Sequence, residues 1–331
     1  MQNYTGYSNQ TTSAFISKPL NDRFLAVQIL VGVFLYLNCL MIFTFLKNEA
    51  FRTDTRYVLF AQMLFMDSAL MVLTDLALMG IYFRCPIPVI SCCVFSMIMD
   101  WLAIGTPFTL MAMCLERYVA ICMPLRHGDI STPRTRRMGL LSIWLISTLM
   151  PVFTLISLLC LVPSSFFLSS TLCTVEMMIV QSWQHNARNI LLLVYFIGMF
   201  SATIFSYVKI MKAARAASSQ NKSSTNKGLR TVILHAFQLL LCLIRFICPF
   251  IEMAVIQIDF LIYVDLRYFN FVMFLIAPRC LSPLIYGLRD EKFFIVLRNH
   301  AFFGLYTFIS PLCIKVKSSR VRTSSAGHDW K

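Results

Sequence analysis

The sequence predicts an all-α membrane protein: a bundle of seven transmembrane helices followed by a short amphipathic helix on the membrane surface. Three observations carry that expectation. First, the 331 residues are 58% hydrophobic and 13% charged, with a mean hydropathy of +0.71. Soluble domains are about a quarter charged, and a soluble core of this length cannot hide so much apolar surface. Second, seven stretches reach the roughly 20 apolar residues that a helix needs to cross a bilayer. Third, Lys and Arg crowd alternate connections between those stretches.

Residues 1–23 are polar and predict a short extracellular N-terminus. They contain no signal peptide, so segment one would serve as an uncleaved signal anchor. The apolar segments fall at 24–46, 56–83, 89–118, 138–162, 189–211, 229–256 and 268–288. Segments two and three are long enough to tilt or to project beyond the lipid. The connections after segments one, three and five, with the tail, hold 21 of the 29 Lys and Arg residues, and the opposite connections hold 5. The other 3, Arg117, Arg245 and Arg279, stand inside segments. Basic loops stay in the cytosol. The N-terminus is therefore expected outside and the C-terminus inside, as an odd number of spans requires. The net charge of +14 then needs no nucleic-acid partner, and the basic tail suits contact with anionic membrane lipid. Sequons at Asn3 and Asn9 lie on the outer side and predict glycosylation there, whereas one at Asn221 would be silent in the cytosol.

Of twelve cysteines, only Cys85, Cys92, Cys93 and Cys173 approach the oxidising outer face. A Cys92–Cys173 bridge would tie the second outer loop, 163–188, over the bundle. Cys93 is the competing partner, and four free thiols are the third possibility. The third inner connection, RAASSQNKSSTNKG, reads as a flexible Ser-rich loop, either phosphorylated or simply solvated. RDEKFFIVLRN, from Arg289, has one apolar and one charged face and predicts the surface helix. The cytosolic region is thus 289–331, with Cys313 a candidate for palmitoylation.

Ionisable groups inside a bilayer are costly and mark function. Asp67 lies eleven residues in from Arg56, roughly 16 Å, and Arg279 lies nine before Leu288, roughly 14 Å from the same face. Matched depth predicts a buried Asp67–Arg279 pair. Asp75, Asp100, Arg245 and Glu252 fall in the outer half. Asp100 and Arg245 stand at comparable depth, and Arg245 and Glu252, seven apart, share a helix face. The candidate ligand set is Asp100, Ala103, Arg245 and Glu252, with a cation on Asp100 and an anion on Arg245. The competing expectation is a direct Asp100–Arg245 ion pair without a ligand.

Segment three ends at the inner face within MCLERYVAICMPLRH, Met113 to His127, where Glu116 and Arg117 stand side by side ahead of Tyr118. The acid neutralises the base and could release it to a new partner when the helices part. An ordinary interfacial ion pair is the plain alternative.

ERYVAICMPLRH resembles the signature of rhodopsin-like G-protein-coupled receptors in its odorant-receptor form. Asn38, Asp67 and Trp144 match in segments one, two and four, and Cys92 stands twenty-five residues before Arg117, the spacing such receptors use for their outer disulfide. SPLIYGLRDEKF, Ser282 to Phe293, is similar to the end of their helix seven and the helix after it. LRTVILHAFQLLLC, DLRYFNF and APRCLSPLIYGLRD resemble fish-type odorant receptors in particular. The likeness covers residues 24 to about 298.

The resemblance implies an odorant bound among segments three, five, six and seven, beneath the second outer loop, in a plasma-membrane receptor. It also implies a heterotrimeric G protein, of the olfactory stimulatory type, engaged when helix six swings outward. Carried over residue by residue, Glu116, Arg117 and Tyr118 form the switch, and Pro283 and Tyr286 belong to the helix-seven hinge. Three residues depart from the pattern. Glu116 replaces the Asp of many relatives, and Ser282 replaces the usual Asn or Asp before Pro283. Arg279 puts a fixed cation where many receptors hold sodium beside the matching Asp. Two cations at one carboxylate repel, so sodium should hardly affect ligand affinity. A non-olfactory receptor for an amine, peptide or lipid fits the same residues. A transporter or channel is a distant alternative, because no inverted repeat is visible. No nucleophile motif or phosphate loop points to an enzyme, and neither a cofactor nor a metal is expected from five scattered histidines.

Overall fold

The seven expected segments are helices in the computed structural model, which describes residues 18–173, 178–217 and 222–281. They are α1 (Lys18–Lys47), α2 (Thr55–Tyr82), α3 (Val89–Cys122), α4 (Pro133–Leu161), α5 (Ser182–Ala217), α6 (Lys222–Val255) and α7 (Phe260–Leu281). Each contains a span long and apolar enough to cross a membrane. α3 is the central post, packed against α2, α4, α5 and α6.

Helices suit this environment because they satisfy their own backbone groups where water cannot. Hydroxyls in the spans follow the same logic and donate one turn back. Thr44 donates to the Leu40 carbonyl at 2.8 Å, Thr109 to Gly105 at 2.8 Å and Ser147 to Ile143 at 2.7 Å. The outer surface is apolar. Leu25, Ile29, Val33 and Tyr36 on α1, and Leu141, Leu145, Leu149, Val152 and Ile156 on α4, are exposed at steps of three or four residues. Such stripes would be a liability in water and are the faces that lipid covers. Inside, Met63, Leu64, Leu110, Met150, Leu239 and Leu243 form the centre of the core.

At Gly105, α3 approaches its neighbours closely. A Cβ there would overlap Met66 Cε and stand 3.2 Å from its Sδ and 3.4 Å from Ser147 Oγ. Gly105→Ala asks only that the adaptable Met66 tip swing aside. Gly105→Val is expected to force the helices apart at a cost of about 1–3 kcal/mol, read as a lower thermal midpoint of the purified protein.

At the outer face, β1 (Ile87–Pro88) pairs antiparallel with β2 (Ser170–Thr171), and the Val89 amide donates to the Ser169 carbonyl at 2.9 Å. The Cys92–Cys173 disulfide pins the second outer loop to the top of α3 beside this pair. Cys93 is a free, buried thiol whose sulfur lies 3.4 Å from Met178 Sδ.

Several helix ends differ from the hydropathy reading. α5 starts at Ser182 and α7 at Phe260, seven and eight residues before the apolar stretches, because polar helical turns continue above the lipid. Asp259 caps α7, its carboxylate accepting from the Leu261 amide at 2.7 Å and the Ile262 amide at 3.4 Å. The Ser-rich connection is largely helix: α5 runs to Ala217 and α6 resumes at Lys222. Ala, Arg and Lys there favour helix, and only 218–221 lie outside the described residues between the two. Within α7, Phe271–Ile276 is a π-helical stretch, whose hydrogen bonds run one residue further than those of an α-helix. Asn3, Asn9, Pro283, Tyr286 and the expected surface helix lie outside the described residues.

Candidate functional site

In the outer half of the bundle, α3 contributes Asp100, but its partner is not Arg245. Arg188 Nη2 lies 3.0 Å from Asp100 Oδ1 and 2.9 Å from Oδ2, with both side chains largely buried. The early start of α5 explains this: Arg188 stands in its second turn, facing α3, where the hydropathy reading put a loop. Asp100 is thereby neutralised and is no longer an open cation site. Ala103, one turn below, packs at the edge of an apolar cluster of Met66, Leu70, Leu102 and Leu275.

Arg245 behaves differently. The buried arc of α6 runs through Gln238, Cys242, Phe246 and Cys248, and Phe237, Leu240 and Ile251 are on the outside. Arg245 falls within the buried arc, three residues from Cys242 and from Cys248, yet it is exposed. Exposure on an inward arc means open space inside the bundle. Glu252, seven residues on, shares this face of α6. Among the described residues no hydrogen bond or ion pair holds it. Glu252 is itself engaged, accepting from Asn270 Nδ2 at 2.8 Å and so tying α6 to α7. Among the described residues, this outer vestibule holds Arg245 without a hydrogen bond or ion pair, beside two occupied carboxylates, Asp100 and Glu252.

Below it lies a polar core. Asp67 is 0% exposed and Arg279 4%. Arg279 Nε stands 3.5 Å from Asp67 Oδ1, Thr106 donates to the same oxygen at 3.0 Å, and Arg279 Nη1 donates to the Leu275 carbonyl. Gln238 Nε2 donates to the Pro278 carbonyl at 3.0 Å, a second tie between α6 and α7. Asn38 is fully buried on α1.

At the inner face, Glu116 turns to a partner other than its neighbour: His127 Nε2 lies 3.5 Å from Glu116 Oε1. Tyr118 packs against Phe205 of α5, ring centroids 5.7 Å apart. In mid-bundle, Trp144 receives the Trp101 indole edge-on at 5.7 Å, and its carbonyl accepts from Trp101 Nε1 at 3.4 Å. Among the described residues, no three His, Cys, Asp or Glu groups are placed to hold a metal ion.

Residues 37–286 match the family of seven-transmembrane receptors of the rhodopsin type. The chain is 48% identical over 294 residues to Odorant receptor 131-2 of zebrafish (Danio rerio), an alignment covering 89% of this chain and 90% of the relative. This chain belongs to the rhodopsin receptor family, in its odorant-receptor branch. The receptor is also 25% identical to human Olfactory receptor 4N4C, over 77% of this chain and 80% of that one, and 27% identical to human Olfactory receptor 4N5, over 61% and 64%.

Sequence reasoning missed Arg188, Thr106, Asn270 and His127. Each is the partner of a charge it did find. Thr106 and Asn270 are too ordinary to stand out, and Arg188 was hidden by the misplaced start of α5. His127 was in plain view eleven residues from Glu116, but a turn reversal brings the two together.

Proposed function

We propose that the receptor senses a small odorant whose anionic or acceptor group meets Arg245, and that it passes the event to a heterotrimeric G protein of the olfactory stimulatory type. Membership of the odorant-receptor branch supports the ligand class and the coupling. The free, exposed guanidinium on the inward arc of α6 carries the choice of ligand polarity. Asp100 belongs to a structural pair with Arg188, so an ammonium group finds no counter-charge there. The ligand set then centres on Arg245, with Glu252 positioning α6 against α7 through Asn270. The N-terminus, with Asn3 and Asn9, is outside the cell, and the switch of Glu116, Arg117, Tyr118 and Tyr286 is in the cytosol.

The test is a cyclic-AMP assay in cells carrying an olfactory-type G protein, with matched aliphatic acids, alcohols and amines. Acids are expected to be the most potent. Arg245→Gln at equal surface expression should weaken the acid response about tenfold to a hundredfold, the range of a lost charge-assisted hydrogen bond, and spare the alcohols. Acid potency unchanged in Arg245→Gln would remove Arg245 from the site.

A further inference from the structure

Two buried donors stand without acceptors at the outer end of α5. The inward stripe of this helix runs through Gln184, Arg188, Leu192, Tyr195 and Met199, at steps of three or four residues. Its lower members pack in the core, where the Tyr195 hydroxyl donates to the Ile146 carbonyl of α4 at 2.9 Å. Gln184 and Arg188, one turn apart, face the bundle above them. Gln184 is 3% exposed. Its Oε1 accepts from the Val180 amide at 2.8 Å and from the Gln181 amide at 2.9 Å. Those two donors fix the orientation of the side-chain amide. The oxygen holds the end of the second outer loop, and Nε2 is turned away from it. Among the described residues this buried Nε2 has no acceptor.

Arg188 repeats the pattern. Nη2 meets both oxygens of Asp100, at 3.0 and 2.9 Å. Nη1 is buried and, among the described residues, has no acceptor. The neighbouring His185 and Asn189 are bonded to each other at 3.0 Å. A buried donor left unmade costs about 1–3 kcal/mol, and more on a charged group, so native structures keep few of them. Two on one face, a single turn apart, mark a place that an acceptor fits. The Arg188 and Asp100 side chains keep 16% and 20% of their surface exposed although they point into the bundle. That exposure is to the vestibule.

We infer that Gln184 and Arg188 form a subsite for an uncharged carbonyl oxygen, that of a small ketone, aldehyde or ester. The oxygen accepts from Gln184 Nε2 and Arg188 Nη1 while the hydrocarbon body of the ligand lies in the vestibule. Asp100 already neutralises Arg188, so the subsite offers donors without net charge. A neutral acceptor suits it, whereas a carboxylate placed there would lose its hydration and meet no uncompensated cation. The inference rests on the vestibule being the ligand chamber, and differs from the role of Arg245 in the charge of the group received.

The experiment measures ligand-induced thermal shifts of the full-length purified receptor in phosphatidylcholine nanodiscs, without any signalling readout. The probes are 2-heptanone and 2-heptanol, which differ in one oxygen function. The ketone is expected to bind several-fold more tightly, because the alcohol brings an O–H among N–H donors. Gln184→Glu keeps an oxygen for the Val180 and Gln181 amides and replaces Nε2 with an acceptor. The ketone-to-alcohol affinity ratio should fall at least about tenfold, reversing the preference. Arg188→Lys keeps a charge for Asp100 and removes Nη1, and should weaken the ketone about tenfold. An unchanged ratio in Gln184→Glu overturns the subsite, as does a ketone shift in wild type no larger than that of the alcohol, or no shift with either probe. Should Gln184→Glu fold poorly, unchanged ketone affinity in Arg188→Lys overturns it alone. Both probes are uncharged and no G protein is present. Failure here therefore leaves the acid response through Arg245 standing, and silence in the cyclic-AMP assay leaves the carbonyl result standing.

Discussion

Asp67→Asn is expected to strip most of the receptor from the cell surface, and adding Arg279→Leu to restore much of it. Asp67 and Arg279 are among the most buried charges described, held by each other and by Thr106. Removing the acid alone leaves a guanidinium in a low-dielectric core, donating to the Leu275 carbonyl. Breaking a buried pair from one side costs about 3–5 kcal/mol, whereas replacing both members with apolar groups is often near neutral. A loss of that size is a large part of a typical total stability of about 5–15 kcal/mol. The double-mutant cycle on thermal midpoints reads the coupling directly. Arg279→Leu alone supplies the second readout: with the fixed cation gone, ligand affinity should become sodium-sensitive, while the wild type stays indifferent. Full surface expression of Asp67→Asn would falsify the pairing as a source of stability.

Cys92→Ser and Cys173→Ser are expected to be comparably damaging, and Cys93→Ser to be mild. The bridge closes a segment of 81 residues. On the chain-entropy account a loop of that length contributes about 4 kcal/mol, an upper figure for a chain already confined by a membrane. Locally the bridge also holds β2 against β1 and so keeps the second outer loop over the vestibule. Cys93 is buried against Met178 and contributes packing alone. Surface labelling and ligand response of the three variants, side by side under non-reducing conditions, separate the cysteines. Equal loss in Cys93→Ser would show that the thiol has a role beyond its packing.

The fold was legible because lipid imposes a coarse rule: about 20 apolar residues per span and basic residues on alternate connections. The depth argument that brought Asp67 to Arg279 worked for the same reason, since rise per residue is fixed in a helix. The same argument set Asp100 beside Arg245 and went wrong there. Depth fixes height, not azimuth, and Arg188, read as part of a loop, stood nearer on the neighbouring helix. Hydropathy also misreads helix ends, because a turn bearing Arg188, Asp265 or Arg267 is polar whether or not it is helical. Glu116 shows a third limit: its neighbour Arg117 is visible in the sequence, but its contact with His127 depends on the short helices after α3.

The π-helical stretch of α7 lies between two anchors. Above it Asn270 is moored to Glu252 of α6; below it Arg279 is moored to Asp67 of α2. A π turn takes up about one residue more than an α turn. Were Phe271–Ile276 to rewind as α, everything below would be carried round by about 100°, the angle of a single residue. Arg279 would then leave Asp67 while Asn270 stayed in place. Such a segment would work as a one-tooth ratchet, turning a change of winding next to Asn270 into a rotation of the helix beyond it.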